Sequence, residues 1–385
     1  MPGPQTQSMP ASRSQKPPKL RAARFDDHAQ IAALATKFDL HVEDFEGWSH
    51  LWTANPAYRE IKDKLPMGWV LENGDGAIAG YLGNVPLNYE LEGKSLLAAT
   101  TRAWVVDTPY RSYSPLLLGT YFQQPNVDLF LSTTVSAQSA PAYSIFQGIP
   151  VPQGAWDRTL FWITHYPGFV ESFLRQKRGA AVSKPLRYPL SAGLFLRDQL
   201  KGTRLQASVR ATKVLSCASF DDRFEVFWAD LRKKKSNLLL AVRSQEALAW
   251  HFKFALQRGA AWIYTVESNS GLAAYATFLR HDYHPIGLTR MRLADFQCLE
   301  QDRAPDLLMA MLQAALARCR QESIHMLELV GLAPELEKSL ERASPHRRPL
   351  SSWLYFYKAG NPSLATKLKN PAAWEPSLFD GDSTL

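Results

Sequence analysis

A chain of 385 residues exceeds one ordinary hydrophobic core and fits two domains of common size. With 46% hydrophobic and 21% charged residues the body is globular, and no apolar run approaches the ~20 residues a membrane-spanning helix needs. Five cations (Arg13, Lys16, Lys19, Arg21, Arg24) precede the first acid, so the net charge of +8 leaves the body mildly basic, suited to an anionic cofactor but short of a nucleic-acid surface.

Residues 1–18, rich in Pro, Ser and Gln, read as a flexible tail. Asp26 and Asp27 then cap an Ala/Ile/Leu-rich helix, and a second helix after Glu43 carries Trp48, Leu51 and Trp52 on one side. Strands 68–72 and 77–82 flank Asn73-Gly74-Asp75-Gly76, a strong hairpin signal. A second hairpin near Glu92-Gly93-Lys94 leads to a strand over 97–106, followed by a helix over 115–124, a strand over 127–133 and a helix near 140–147. This first domain spans 19–155, and a connector over 156–217 with some structure of its own follows it.

A second domain, 218–358, repeats the layout. Leu272-Ala273-Ala274-Tyr275 matches Ile78-Ala79-Gly80-Tyr81, and Met291-Arg292-Leu293-Ala294-Asp295 matches Ala103-Trp104-Val105-Val106-Asp107. A helix over 305–320 and a strand over 324–330 come next, in the same order as before, which points to an internal duplication. Trp353, Tyr355, Phe356 and Tyr357 are assigned to the closing strand of the second sheet. Residues 359–385 form a tail that packs on the surface through Leu368, Trp374, Leu378 and Phe379. Cys217, Cys298 and Cys319 lie far apart without a CxxC pair, so neither a disulfide framework nor a metal site is expected, and a reducing cytoplasm fits.

The segment with chemistry in it is Val105-Val106-Asp107-Thr108-Pro109-Tyr110-Arg111-Ser112-Tyr113-Ser114-Pro115-Leu116, a strand end that opens directly into a helix. The first turn of a helix offers unpaired N–H groups and partial positive charge, both suited to phosphate, and an arginine adds a planar cation. Strand, Asp, Pro-x-Arg, loop and helix together resemble the cofactor motif of the GNAT acyltransferase superfamily. The resemblance covers most of the chain and implies an α/β fold of mixed α+β type: tandem duplicated domains, each a mainly antiparallel sheet flanked by helices. It also implies acetyl-CoA or another acyl-CoA as co-substrate, its pyrophosphate on Arg111, Ser112, Tyr113, Ser114, Pro115 and Leu116. The acyl carbonyl then meets backbone N–H groups near Val105 and Val106, and the acceptor is an amine of a small molecule, sugar or peptide. Two positions depart from the family pattern: Ser114 and Leu116 stand where glycine, or glycine or alanine, is usual. In the helix over 140–147 the leaving-group tyrosine of the family falls at Phe146, with Tyr143 one turn earlier.

Candidates for the base are Asp107, His281 and His284. Asp107 also fits a cap for the turn after it, and the two histidines also fit exposed loop positions. Trp250-His251-Phe252 resembles a segment of acyltransferase-like proteins with cell-surface glycan functions. Two other readings stay open: a protein that kept the fold and lost the chemistry, and a Fem-like ligase that takes its acyl group from a donor other than CoA. No nucleic-acid partner is expected.

Overall fold

The computed structural model describes residues 16–40, 42–61, 64–152, 156–178, 180–201, 212–269, 271–340, 343, 346–350 and 354–385. Most of the 1–18 tail, residues 202–211 of the connector, Ser270 and Trp353 lie outside the described residues.

The first half runs β1 (Lys19–Ala22), α1 (His28–Thr36), α2 (Phe45–Thr53), α3 (Pro56–Arg59), β2 (Gly68–Glu72), β3 (Ile78–Leu91), β4 (Lys94–Val106), α4 (Ser114–Phe122), β5 (Leu129–Val135), α5 (Ala140–Ile145) and β6 (Ile149–Pro150). Next come β7 (Arg158–Ile163), α6 (Tyr166–Arg178), α7 (Ala180–Leu200) and β8 (Val214–Cys217). The second half runs α8 (Asp222–Lys234), β9 (Leu240–Ala241), α9 (Gln245–Gln257), β10 (Ala261–Ser268), β11 (Gly271–Arg280), β12 (Arg290–Cys298), α10 (Ala304–Gln321), β13 (Met326–Val330), α11 (Pro334–Leu340), β14 (His346–Pro349), β15 (Leu354–Ala359) and α12 (Pro362–Leu368).

Local chemistry sets several of these boundaries. Asp44 caps α2 by accepting from Gly47 N, and Ser244 caps α9 by accepting from Ala247 N. In the first hairpin Asn73 Oδ1 accepts from Asp75 N and Ala77 N, while Gly76 takes the positive φ that closes the turn.

Two mostly antiparallel sheets result, flanked by helices. One has the order β1-β2-β3-β4-β5-β15-β6 with β9 added to β3, and the other the order β14-β7-β13-β12-β11-β10-β8. Each contains one short parallel contact: Ala98–Thr100 of β4 against β5, and Arg290–Arg292 of β12 against β13. Beyond those three pairs the strands part, leaving a V-shaped splay in each sheet.

The structure corrects the sequence reading in several places. β15 joins the first sheet beside β5, not the second. β7 occupies the matching place beside β13 in the second sheet, so each half lends the other a strand. Alternation identifies a strand but carries no information about which sheet receives it. Tyr355, Phe356 and Tyr357 are all buried, as a central strand requires. The connector is likewise not separate from the second sheet, since it supplies both β7 and β8. The matched hairpins do correspond, but the strand after them does not match as read. Gly80 pairs with Val106 and Ala274 pairs with Cys298, so Val105-Val106 corresponds to Gln297-Cys298, four residues beyond the expected partner. Finally, the tail's apolar anchors Leu368, Trp374, Leu378 and Phe379 are buried, and Asp380 and Asp382 are buried with them.

Candidate functional site

The first splay begins where Thr101 and Ser132 hydrogen-bond across β4 and β5 through their hydroxyls at 2.7 Å. Past this point the strands enclose a cavity of about 260 Å³ lined by Leu40, Thr101, Arg102, Ala103, Trp104 and Thr134, with Val135, Ser136, Ser139, Tyr143 and Asp382 completing it. Ala103 takes φ +53 where β4 slips register against β3, an uncommon conformation for a residue with a Cβ. The end of β4 offers a donor as well. Asp107 N bonds to Ala79 O on β3, and successive N–H groups of a strand face opposite edges, so Val106 N–H points toward the splay.

Tyr143 sits on α5 at the floor of this cavity. Its ring is fixed by Trp104, Phe122 and Phe356, and its hydroxyl lies 3.4 Å from Thr101 Oγ1. Burial pushes its pKa up, against the opposing pull of hydrogen bonds from Ser132 and Thr101, so the hydroxyl keeps its proton at neutral pH. Phe146 faces elsewhere, stacking on Phe122 and closing over Gly119.

Above the splay, Thr108–Tyr113 forms a tight 3-10 turn that hands the chain to α4. Asp107 caps this turn through Thr108 N at 2.9 Å and pairs with Lys37 at 3.3 Å. It does not line the cavity. No side chain caps α4; Ser114 N already donates to Arg111 O in the turn before it and Pro115 has no N–H, so the anion-binding character of this mouth rests on Arg111 and the helix dipole. Arg111 and Ser112 are exposed beside it and Tyr113 and Ser114 are half-buried. Arg111 lies over the Phe38 ring at 5.9 Å and, among the described residues, makes no ion pair. Pro115 is exposed, and Leu116 is 48% exposed, so its side chain points to solvent rather than into the core. A diphosphate arriving at this mouth meets the Leu116 side chain as well as backbone.

Sequence reasoning missed Asp382. The tail brings it to the splay, where Oδ1 accepts from Thr133 N and Oγ1 and Oδ2 accepts from Thr134 Oγ1. Arg102, itself paired with Glu43 at 2.6 Å, donates to the Asp382 backbone carbonyl. Among the described residues Asp382 is the one carboxylate lining this cavity. Asp-Gly-Asp in a tail reads locally as a turn, so no sequence signal marked it.

The second splay is filled by the chain itself. Residues 375–378 lie along Leu293–Gln297 and 330–333, leaving a cavity of only about 30 Å³, and Phe379 N donates to Ala294 O. Behind this segment Arg243 makes a bidentate pair with Asp295 at 2.9 and 3.0 Å, and reaches Asp380 at 3.2 Å. Tyr275 also donates to Asp295. Burial pushes Asp380 up to about 6, while Asp295, despite its burial, is held below the usual range by Arg243.

His281 and His284 line neither splay. His281 follows β11 near the closed end of the second V, and burial with Arg292 and Arg290 nearby pushes it down to about 3. His284 starts a 3-10 turn in the same loop. His251 is held near Phe379, with Nε2 2.7 Å from Thr384 Oγ1. Among the described residues no cluster of three or more His, Cys, Asp or Glu could hold a metal ion.

No protein-family model matches this chain, and no curated protein matches it. Solved structures do. N-myristoyltransferase of Saccharomyces cerevisiae with bound myristoyl-CoA aligns at 12% identity over 92% of this chain and 81% of that one, with a TM-score of 0.55. A GCN5-related N-acetyltransferase from Anabaena variabilis aligns at 12% identity over 89% and 73%, TM-score 0.51. A protein of Enterococcus faecalis described as a probable N-acyltransferase aligns at 11% over 89% and 72%, TM-score 0.54. The fold is therefore the GNAT fold, as the sequence resemblance implied.

Proposed function

We propose that this chain is an acyl-CoA-dependent N-acyltransferase whose first splay holds the thioester. One observation carries the reading: β4 and β5 part around a cavity lined by a protonated tyrosine and a carboxylate, and further along β4, outside that lining, Val106 N–H faces the same splay. The helix mouth with Arg111 stands over the same strand end, where a diphosphate would lie. Structures sharing the fold are N-acyltransferases, and one of them holds myristoyl-CoA.

In this mechanism the amine of the acceptor attacks the thioester carbonyl, so a C–N bond forms and the C–S bond breaks. Val106 N–H stabilises the charge that develops on the carbonyl oxygen. Asp382 uses three of its roughly four acceptor positions on Thr133 and Thr134, and the remaining one takes the proton of the attacking amine. Tyr143 gives its proton to the departing thiolate.

Calorimetric titration with acetyl-CoA and a longer acyl-CoA tests the donor. Both wild-type binding and a loss of about tenfold or more in Arg111→Ala are expected, the size of one charge-assisted contact to phosphate. Absence of binding by either thioester in folded protein sinks the CoA reading.

A further inference from the structure

Helix α7 is built inside out for a surface helix. Among the described residues, its buried and half-buried positions are Leu186, Arg187, Ser191, Leu194 and Asp198, so the two most buried are polar and only two of the five are apolar. Asp198 is buried and held by Tyr166 at 3.0 Å and His346 at 2.9 Å, while Arg187 pairs with Glu171 at 2.7 Å. The outward side carries Pro189, Ala192, Leu196 and Leu200, with Leu196 57% and Leu200 79% exposed. Phe173, on the neighbouring α6, is 51% exposed. Leucines that face water along one helix side mark a surface that something covers.

Charge says what covers it. Residues 172–213 contain ten lysines and arginines and a single acid, Asp198. That stretch holds more positive charge than the +8 of the whole chain. Glu171, just before it, pairs with Arg175 and Arg187. Lys177 and Lys201 are exposed near the ends of the two helices.

We propose that the α6–α7 hairpin docks the protein onto an anionic lipid surface, with Leu196 and Leu200 entering the acyl boundary and the flanking cations at the headgroups. A basic helix with an apolar side lies in the membrane interface in this way. Among the described residues no helix is long and apolar enough to cross a membrane, so the contact is one of lying on the surface. A second copy of the hairpin brings cations against cations. Residues 202–211, which add Arg204 and Arg210 and no acid, carry the same sign. Nucleic acid matches the charge but leaves the leucines in water.

The test is flotation of the full chain with vesicles of phosphatidylcholine alone, and of phosphatidylcholine containing phosphatidylserine. Partition onto the phosphatidylserine vesicles alone, weakened by salt, is expected. Lys177→Ala and Lys201→Ala should each lower it about fivefold, the worth of one basic residue at such a surface. Leu196→Glu with Leu200→Glu should lower it about tenfold or more, with unchanged melting temperature because both positions already face water. Should that double variant fail to fold, the lysine variants carry the test. No partition onto phosphatidylserine vesicles overturns the proposal, and so does partition that the leucine substitutions leave intact. Release by RNA that binds the leucine variant equally well assigns the surface to nucleic acid instead. A dimer seen by light scattering that Leu196→Glu dissolves assigns it to self-association.

Discussion

Each half of the chain builds a V where two parallel strands part after three paired residues, and the two Vs have opposite fates. Between β4 and β5 the opening stays about 260 Å³ in volume, with Tyr143 and Asp382 on its walls. Between β12 and β13 residues 375–378 fill it to about 30 Å³, and Phe379 takes the backbone carbonyl of Ala294. The same tail therefore closes one opening and equips the other. Topology supplies an opening twice, and its occupant decides whether chemistry can follow.

The largest effect tests what holds the tail in the second opening. Arg243→Met leaves Asp295 and Asp380 buried without their cation, since Arg243 and Asp295 are at most 1% exposed. A loss of about 3–5 kcal/mol in urea unfolding is expected. A loss under about 1 kcal/mol, within the range of an exposed pair, breaks the claim that this cluster anchors the tail.

Tyr143→Phe tests the first opening. The ring keeps its contacts with Trp104, Phe122 and Phe356 and loses only the hydroxyl. Turnover should fall about a hundredfold while acyl-CoA binding holds, as for removal of a general acid. Unchanged turnover returns Tyr143 to a packing role.

Acid should loosen the tail. Burial pushes His251 down to about 3, below its ordinary value near 6.5, so the unfolded chain takes up this proton first. The contribution is complete above about 6.5 and is lost as the pH falls toward 3, at no more than about 1.4 kcal/mol per pH unit. Asp380, raised to about 6, has the opposite sign: its contribution is present below about 4 and is lost as pH rises to 6. The two offset each other between about pH 4 and 6, so the fall in melting temperature should appear below about pH 4, and His251→Asn should flatten it. An equal slope in that variant removes His251 from the account.

The smallest effect concerns the helix mouth. Leu116→Gly uncovers the backbone that a diphosphate would approach and should tighten acyl-CoA binding modestly, against a helix cost of about 0.5–1 kcal/mol. Weaker binding in this variant makes Leu116 a contact rather than an obstacle.

The elements of both meanders, the helix after β4 and the resemblance to the GNAT fold were legible in the sequence because turn residues, caps and alternation act over a few neighbours. Asn73-Gly74-Asp75-Gly76 is such a signal. The exchange of β7 and β15 was not legible, because Tyr355, Phe356 and Tyr357 suit a buried strand in either sheet. The four-residue offset between Val106 and Cys298 escaped for a related reason: a short apolar match fixes no register, whereas hydrogen bonding to β3 and β11 does. Asp382 and the Arg243 cluster were invisible for want of any local pattern, since their partners lie more than a hundred residues away or on another element.

The most direct measurement is a crystal structure with a non-hydrolysable thioether analogue of acetyl-CoA. The account predicts pantetheine between β4 and β5, diphosphate beside Arg111, and residues 375–379 still in the second opening. An analogue bound between β12 and β13 with the tail displaced, or one bound away from both openings, contradicts it.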